Sequence, residues 1–436
     1  SQRPLVGLAQ AIFAPPYVDG PIRLEAIYTV NEAENNTLIV EANVEQAVLR
    51  VPALNWTKAA TVPGLISAEV LFDGGMLGKI RHFEVSSPDA GLQFVGDAEF
   101  SNGTELRSVS LHPGQIGSSK FGLTALRQVD GVFDIEMQGV ALDARAFWTS
   151  LRKSNSARSF DTDEDGGARL PYKFRGKIDQ VLLSDAGIMR GVDATIERGD
   201  QGLSELSVTG DVVEGERFNL SMVPQGDTRV FAASSRNGGA VLAALGFADS
   251  FRGGDLNVTG VLSESGDVSG DLIIDTFEMV GAPLLARLLS VAALTGIVDE
   301  LQGNGIFFST LNLPFEASDG AFKITDGAIY GPSIGLTANG IYDTNKNTID
   351  GEGTIIPAYA LNSVLGGIPI LGPLLTGGEA GGGVFAATYA MRGNPDGATI
   401  TVNPFATLTP GFLRWIFRVF DPPPAKEVTP EQAPQN

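Results

Sequence analysis

One local pattern recurs along the chain and restricts it to a protein built mainly from β-strands. Apolar residues stand at alternate positions and end on a glycine in the same phase, most clearly at 133–139, 206–210, 256–260, 336–340 and 387–393. The positions between them are largely Ser, Thr, Asn, Asp, Glu and Gln. Because successive side chains of a strand point to opposite faces, each run predicts a strand with one apolar and one solvated face.

The number of such strands limits how they can be arranged. Asp-Gly, Asn-Gly and Gly-Asp pairs between the runs indicate tight hairpin turns. At this spacing the chain holds roughly 30 strands, which would form a sheet about 140 Å long. A flat open sheet of that size is disfavoured because strand twist makes it curl, close or split. The alternation alone leaves a sandwich, a propeller and an elongated curled groove as alternatives.

Two apolar segments interrupt the strand pattern. Residues 282–301 have leucines at helical spacing, with Arg287, Asp299 and Glu300 among them, and predict a helix packed on the sheet. Residues 355–378 are almost uncharged but contain Gly or Pro every few positions. Since proline and glycine forbid one long helix there, we expect two short apolar helical pieces or a folded hairpin.

Composition excludes several classes of function. The net charge is −21, whereas nucleic-acid binding and broad adhesion to anionic membranes require positive surfaces. The 436 residues include no Cys, which excludes disulfides and Cys-based zinc sites, and only two His, His82 and His112. No run of 18 uncharged apolar residues occurs, so we expect no membrane-spanning helix in this sequence. The chain begins Ser1-Gln2-Arg3-Pro4 in apparently folded sequence, and we expect it to be part of a longer protein.

The matches to catalytic and metal-binding motifs each lack a residue that the motif requires. Asp161, Asp163 and Asp165 followed by glycine match the start of a calcium loop, but Tyr172 stands where the loop needs a bidentate Glu. A solvated acidic loop is the favoured interpretation, with calcium as the alternative. The G-x-S-x-G match around Ser333 has no later His to activate a serine. We therefore predict no enzyme activity and no cofactor.

The alternation itself identifies a candidate binding surface for something apolar. The predicted lining consists of large apolar residues that share the phase of the glycines: Leu206, Val208, Leu220, Met222, Leu256, Val258, Leu272, Ile274, Leu336, Tyr389 and Met391.

A second candidate surface lies near the C-terminus, where aromatic residues alternate with arginines. Such a mixture suits a lipid headgroup boundary, and a helix that caps the sheet is an equal alternative. We expect this stretch and the 355–378 block to lie together at one end of the sheet. The predicted membrane contacts are Leu371, Leu374, Leu375, Phe412, Arg414, Trp415, Phe417 and Arg418.

The C-terminal third also contains a series of distinctive short sequence motifs. They are Ala282–Leu289, Gly303-x-Gly305-Ile306-x-Phe308, Leu313–Phe315, Gly331-Pro332-x-x-Gly335-Leu336-Thr337, Pro357–Asn362, Ile368-Pro369-x-x-Gly372, Leu375–Gly378, Val402–Pro404 and Pro410–Arg414. In their residues and their order, these motifs resemble the AsmA-like family of Gram-negative envelope proteins (the AsmA, TamB and YhdP group). The resemblance covers about 270–415, and from 170 to 270 it continues as strand-and-glycine rhythm.

The resemblance implies a specific fold and function. The fold would be a repeating β-groove, an elongated, curled antiparallel sheet with an apolar inner face and a few short apolar helices near its C-terminal end. The function would be to carry phospholipids between inner and outer membranes across the periplasm, which contributes to outer-membrane lipid homeostasis. An inner-membrane anchor would precede this sequence, and other envelope proteins would be possible partners. The family contributes no catalytic residue.

The predicted organisation has five parts. These are N-terminal groove repeats at 1–151, an acidic loop or linker at 152–171, middle repeats at 172–270, the AsmA-like region at 271–420 and a disordered tail at 421–436. The alternative function is an envelope assembly factor that binds client outer-membrane β-barrel proteins by strand augmentation.

Overall fold

The computed structural model describes residues 17–30, 36–153, 170–185, 187–199, 202–292, 294–357, 385–395 and 397–407. Within these ranges the protein is mainly β, as predicted, and has 24 strands. The strands of the main sheet are β2 (Arg23–Thr29), β3 (Asn36–Asn43), β6 (Leu65–Asp73), β7 (Met76–Ser87), β8 (Leu92–Ser101), β9 (Glu105–Ile116), β10 (Ser119–Arg127), β11 (Phe133–Asp143), β12 (Tyr172–Leu182), β13 (Ile188–Gly199), β14 (Gly202–Val213), β15 (Glu216–Gln225), β16 (Thr228–Ser235), β17 (Phe251–Leu262), β18 (Val268–Met279), β19 (Ile306–Ser318), β20 (Ala321–Tyr330), β21 (Ile334–Asp343), β22 (Thr348–Pro357), β23 (Phe385–Gly393) and β24 (Thr399–Thr407).

These 21 strands form one long open sheet. Each strand pairs with the next strand of the sheet along the chain, from β2 to β24, and in the described residues the two end strands do not pair with each other. All pairs are antiparallel except β11–β12, which is parallel. The expectation of a purely antiparallel sheet is therefore wrong at this point. The reason is the connection between them, which is 28 residues long and so permits the crossover that a parallel pair requires.

The ends of the strands line up along the two long sides of this sheet, and these two sides differ in their connections. At one edge, which we call the turn edge, all ten connections have six residues or fewer, as at Asp73–Met76 and Ser318–Ala321. In the second of these, Asp319 and Gly320 have φ of 45° and 78°, the left-handed values that a two-residue hairpin turn of this type needs. Every connection longer than six residues leaves from the opposite edge, which we call the helix edge.

Among the described residues, the helix edge carries four α-helices. They are α1 (Arg145–Lys153), α2 (Gly238–Ala244), α3 (Pro283–Val291) and α4 (Thr295–Gln302). The single helix predicted over 282–301 is thus two helices, since α3 ends with Ala292 as its C-cap and α4 begins with Leu294 as its N-cap. Helices were expected only near the C-terminal end, but α1 and α2 lie in the middle of the chain.

Two hydrogen-bonded contacts fix α1, one to the end of β11 and one to the residue that follows α2. The Arg145 guanidinium donates to both carboxylate oxygens of Asp143 at the end of β11, at 2.9 and 2.7 Å, and keeps the pKa of that buried carboxyl below its usual range. Trp148 Nε1 donates to Leu245 O at 2.8 Å, just after α2. The helix edge is therefore cross-linked between connections that are far apart in sequence.

A small three-stranded sheet occupies the connection between β3 and β6. Its central strand is β4 (Val48–Val51), which pairs with β1 (Val18–Asp19) on one side and β5 (Trp56–Lys58) on the other. A 3₁₀ turn at Pro52–Leu54 connects β4 and β5. Lys58 is fully buried, and its ammonium donates to Ala47 O at 2.8 Å and Ala59 O at 3.1 Å. Burial lowers the pKa of Lys58, but the carbonyl partners satisfy its donors. A second 3₁₀ turn at Pro88–Ala90 follows β7.

The glycines that end the apolar runs make room for side chains of neighbouring strands. Gly260 lies opposite Phe231, and a Cβ at Gly260 would collide with the Phe231 ring and with Ser269 O. Gly96 has the same relation to the Phe83 ring, and a Cβ at Gly210 would collide with the Met189 side chain. Glycine at these positions lets the apolar side chain lie flat on the backbone, as in the aromatic rescue of strand glycines.

This packing predicts the effect of adding one methyl group. Gly260→Ala should lower the free energy of unfolding by about 1–3 kcal/mol, because the added carbon overpacks the site under Phe231. Gly199→Ala is the matched control, since it lies at the end of β13 with open space around its Cβ position and should change stability by about 0.5 kcal/mol or less. Urea unfolding measures both, and equal effects would contradict the proposed role of the ring.

Candidate functional site

One row of apolar residues crosses the whole sheet on the face that carries these glycines. Its members pair directly with one another from strand to strand, so their side chains share one face. We call it the turn-edge row. It consists of Tyr28, Leu38, Val70, Ile80, Ala98, Val109, Ala125, Ile135, Phe174, Ile196, Leu206, Met222, Phe231, Gly260, Gly270, Phe315, Ile324, Gly340, Gly351, Met391 and Ile400.

All 21 strands of the main sheet contribute one residue to this row, and none of these residues is charged. At the usual strand spacing of about 4.8 Å, the row runs for about 95 Å along the sheet.

Two further rows lie beside it on the same face. The central row runs from β2 to β19 through Ala26, Val40, Ala68, Phe83, Gly96, Leu111, Leu123, Met137, Gly176, Ala194, Val208, Leu220, Ala233, Val258, Leu272 and Leu313. After a β-bulge it continues as Gly327, Ala338, Gly353, Tyr389 and Val402. The helix-edge row consists of Leu256, Ile274, Leu311, Ile329, Leu336, Ile355 and Ala387.

Burial differs sharply between the rows. In the helix-edge row, Ile274 and Ile355 are fully buried, because helices α2, α3 and α4 pack on this side of the face with Val241, Leu289 and Leu301 in the same core. Every member of the turn-edge row from β13 to β24 is only half-buried. The C-terminal half of the face is therefore a closed core along the helix edge and an accessible apolar surface along the turn edge, whereas Val70, Ala98 and Ala125 of the row are buried in the N-terminal half.

The opposite face of the sheet is polar and charged. Between Asp97 and Pro314 its middle row runs mainly through Ser, Thr, Glu and Arg. On it Arg175 bonds Asp134 Oδ1 at 2.8 Å and Glu136 Oε1 at 3.0 Å across the β11–β12 pair. The sheet thus separates apolar and charged side chains along its length.

A pocket of about 420 Å³ lies where helix α3 meets the apolar face. Leu284, Leu285 and Leu288 of α3 form one wall, and Ala338 and Tyr389 belong to the sheet side. None of the described residues that line it is charged.

The polar groups beside this pocket bond to one another. Tyr389 Oη lies over Gly353 and donates to Thr337 O at 2.7 Å, and Thr337 Oγ1 accepts from Thr354 N at 3.1 Å. Burial raises the pKa of the Tyr389 hydroxyl to about 12. This hydroxyl therefore stays neutral at physiological pH and acts as a structural donor.

The structure places all eleven predicted lining residues on the apolar face. Leu206, Met222 and Met391 belong to the turn-edge row, Val208, Leu220, Val258, Leu272 and Tyr389 to the central row, and Leu256, Ile274 and Leu336 to the helix-edge row. The last three, together with Tyr389, are buried and therefore contribute to the core.

Several predicted residues lie outside the described part of the chain. They are the calcium candidates Asp161, Asp163 and Asp165 and the membrane-contact candidates Leu371, Leu374, Leu375, Phe412, Arg414, Trp415, Phe417 and Arg418. Strand β22 ends and β23 begins at the helix edge, and β24 also ends there. Both membrane-contact segments thus connect to the sheet at the edge where α3 and α4 also attach.

The residues of the turn-edge row that the sequence analysis missed include Phe231, Phe315, Ile324 and Ile400. Each stands in its strand together with other apolar residues, and only the pairing shows that it continues the row. Helix α2 had a usable signal, because Asn237 precedes an Ala-rich run and its side chain caps Ala240 N at 3.0 Å.

The described residues lack two other kinds of feature. They contain no group of three or more His, Asp or Glu side chains arranged to hold a metal ion. No helix among them combines the length and apolarity that crossing a bilayer requires.

The buried Tyr389 hydroxyl predicts a specific pH dependence. Tyr389→Phe should lower stability by about 1 kcal/mol at neutral pH, because the bond to Thr337 O is lost. Since the folded-state pKa is raised from 10.0 to about 12, the unfolded chain ionises first, and wild-type stability should fall as pH rises above 10.

The variant should lack this component, so the two stability curves should converge above pH 10. Tyr342→Phe is the control, because its hydroxyl donates to Asn347 Oδ1 at the surface. Urea midpoints between pH 7 and about pH 11 measure the difference, and a constant gap between wild type and Tyr389→Phe would contradict the assignment.

Comparison with known proteins adds no relative: no family model, curated protein or solved structure matches this chain. The resemblance to the AsmA-like family remains a prediction, and the geometry of the sheet carries the functional argument.

Proposed function

We propose that the apolar face is a phospholipid-binding groove along which lipids pass between two membranes. The observation that carries the proposal is the turn-edge row, which crosses all 21 strands without a charged residue. An acyl tail on this row exchanges one apolar neighbour for another of similar character at each step. Because no position requires a buried charge to be desolvated, the surface presents no large barrier to sliding.

Curvature of the sheet belongs to the same proposal. A twisted sheet of this many strands curls rather than remaining flat. Helix α3 follows β18, yet Arg287 Nη2 donates to Ala398 O at 2.7 Å in the loop before β24, six strands further along the sheet. This short contact between distant strands supports a curled C-terminal end in which the apolar face lies inside.

The cellular setting is proposed from the resemblance. The chain would act in the periplasm of a Gram-negative envelope, with phospholipids as its cargo and the inner and outer membranes as its partners. An inner-membrane anchor and contacts with other envelope proteins belong to the same proposal. The membrane-contact candidates near Leu371 and Trp415 would then act at one of the two membranes.

An assembly factor is the second candidate, and one observation favours it. The end strand β2 leaves one edge unpaired in the described residues and exposes Leu24, Ile27 and Tyr28 by 59, 66 and 53%. An exposed apolar edge strand can accept a strand from a client protein. Purification of the chain separates the two proposals, because bound lipid supports the groove and a bound β-barrel client supports the assembly factor.

The face-to-face contrast predicts which positions capture lipid. Photo-crosslinking amino acids at Val208 and Val258, in the central row, should form lipid adducts in the presence of phospholipid vesicles. The same groups at the neighbouring positions Ser207 and Asn257 point to the polar face and should form several-fold fewer. Mass spectrometry of the adducts is the measurement.

The four variants differ only by one position along the same two strands, so expression and vesicle contact are matched. Equal capture on both faces would overturn the proposal, since lipid would then associate without regard to the apolar row.

A further inference from the structure

The pocket between helix α3 and the sheet has a composition that selects one class of ligand. Leu284 and Leu285 are half-buried and face the space from the helix, and the half-buried residues Leu313, Ala338 and Met391 face it from the sheet. With about 420 Å³, it lies within the usual size range of ligand pockets. A pocket with such an apolar lining favours the binding of hydrocarbon over that of polar groups.

The described lining of the pocket offers a charged headgroup no counter-charge. The Tyr389 hydroxyl donates to Thr337 O, and Thr337 Oγ1 accepts from Thr354 N, so both are already engaged within the protein. The remaining side-chain hydroxyl of the lining belongs to Ser250. Because a buried phosphate or carboxylate without a counter-charge is strongly disfavoured, such a group must remain outside.

The pocket is continuous with the apolar rows. Met391 belongs to the turn-edge row and pairs with Ile400 and Gly351, while Ala338 and Tyr389 belong to the continued central row. Helix α3 stands over these rows and is held by Leu288 and Leu289 in the core and by Arg287 at Ala398 O. A tail lying on the rows therefore meets α3 at this point of the sheet.

We propose that this pocket binds the terminal part of a single acyl tail, with the polar end of the lipid outside. The inference rests on the proposed groove for the source of the tail and adds a defined end site beneath α3. Its affinity should depend on hydrocarbon length and not on the headgroup. With about 0.8 kcal/mol per buried methylene, binding should tighten roughly fourfold for each added methylene until the pocket is full.

Displacement of a fluorescent polyene fatty acid, cis-parinaric acid, tests this with the full chain. Competing n-alkanols and fatty acids of equal length should displace the probe equally well, and longer chains should do so at lower concentration. Displacement should change less than twofold between low and high salt, because no charge lines the pocket. A strong preference for the charged series, or no dependence on chain length, would overturn the proposal.

Two pairs of variants locate the site. Leu285→Asn places an amide in the pocket and Ala338→Phe fills it, and each should weaken probe binding about tenfold or more. Val291→Asn lies on the same helix at a 52% exposed position, and Ala232→Phe lies on the polar face at an exposed position. Both controls should stay within about twofold of wild type.

Circular dichroism and urea midpoints identify which variants retain the native fold, and the comparison uses those variants. Because Ala338 is half-buried beside the empty volume, Ala338→Phe provides a second route if Leu285→Asn disturbs α3. Folded variants of both kinds that bind the probe like wild type would overturn the pocket.

Lipid capture at Val208, many strands away from α3, separates this inference from the groove itself. Loss of probe binding in Ala338→Phe with retained capture at Val208 supports both. Unchanged probe binding with capture at Val208 overturns the pocket and leaves the groove. Loss of probe binding in a protein that captures no lipid at Val208 supports the pocket and overturns the groove.

Discussion

The fold depends on strand register, because register decides which side chains meet across the sheet. Along the turn-edge row, an apolar residue or glycine pairs with another in every one of the 21 strands. A slip of one residue at any pair would move the following strand's apolar residues to the charged face. Ion pairs on that face, such as Arg175 with Asp134 and Glu136, favour the same register from the other side. The apolar face is thus specified by many weak cross-strand contacts rather than by one strong contact.

The placement of connections then divides this face into two zones. Tight turns connect the strands at the turn edge. Helices α2, α3 and α4 lie in the long connections at the helix edge, and they pack on the neighbouring part of the apolar face. Their packing converts Ile274 and Ile355 into core residues and leaves Leu206 and Met222 half-buried. Core packing and the proposed lipid binding can therefore use the same face, because they use different rows of it. The α3 pocket lies at the boundary between the two zones.

Much of this arrangement could be predicted from local pattern. Alternation placed all eleven candidate lining residues on one face, and leucine spacing found the helical character of 282–301. Local pattern could not separate the buried Leu256 and Ile274 from the half-buried Val208, because burial depends on inserted helices from elsewhere in the chain. It also missed the parallel β11–β12 pair, which depends on the path of a long connection and not on the composition of either strand.

The sequence by itself determined the strand period, the apolar and polar faces of each strand and the position of the tight turns, because these properties depend on residues within a few positions of one another. Only the tertiary structure decided that the faces join into one row of 21 strands, that the sheet stays open and that the helices cover one side of it. The physical reason is that pairing and coverage join residues far apart in the chain, such as Arg287 and Ala398 or Trp148 and Leu245. Many partners have suitable local patterns, and packing and hydrogen bonding of the whole chain select among them.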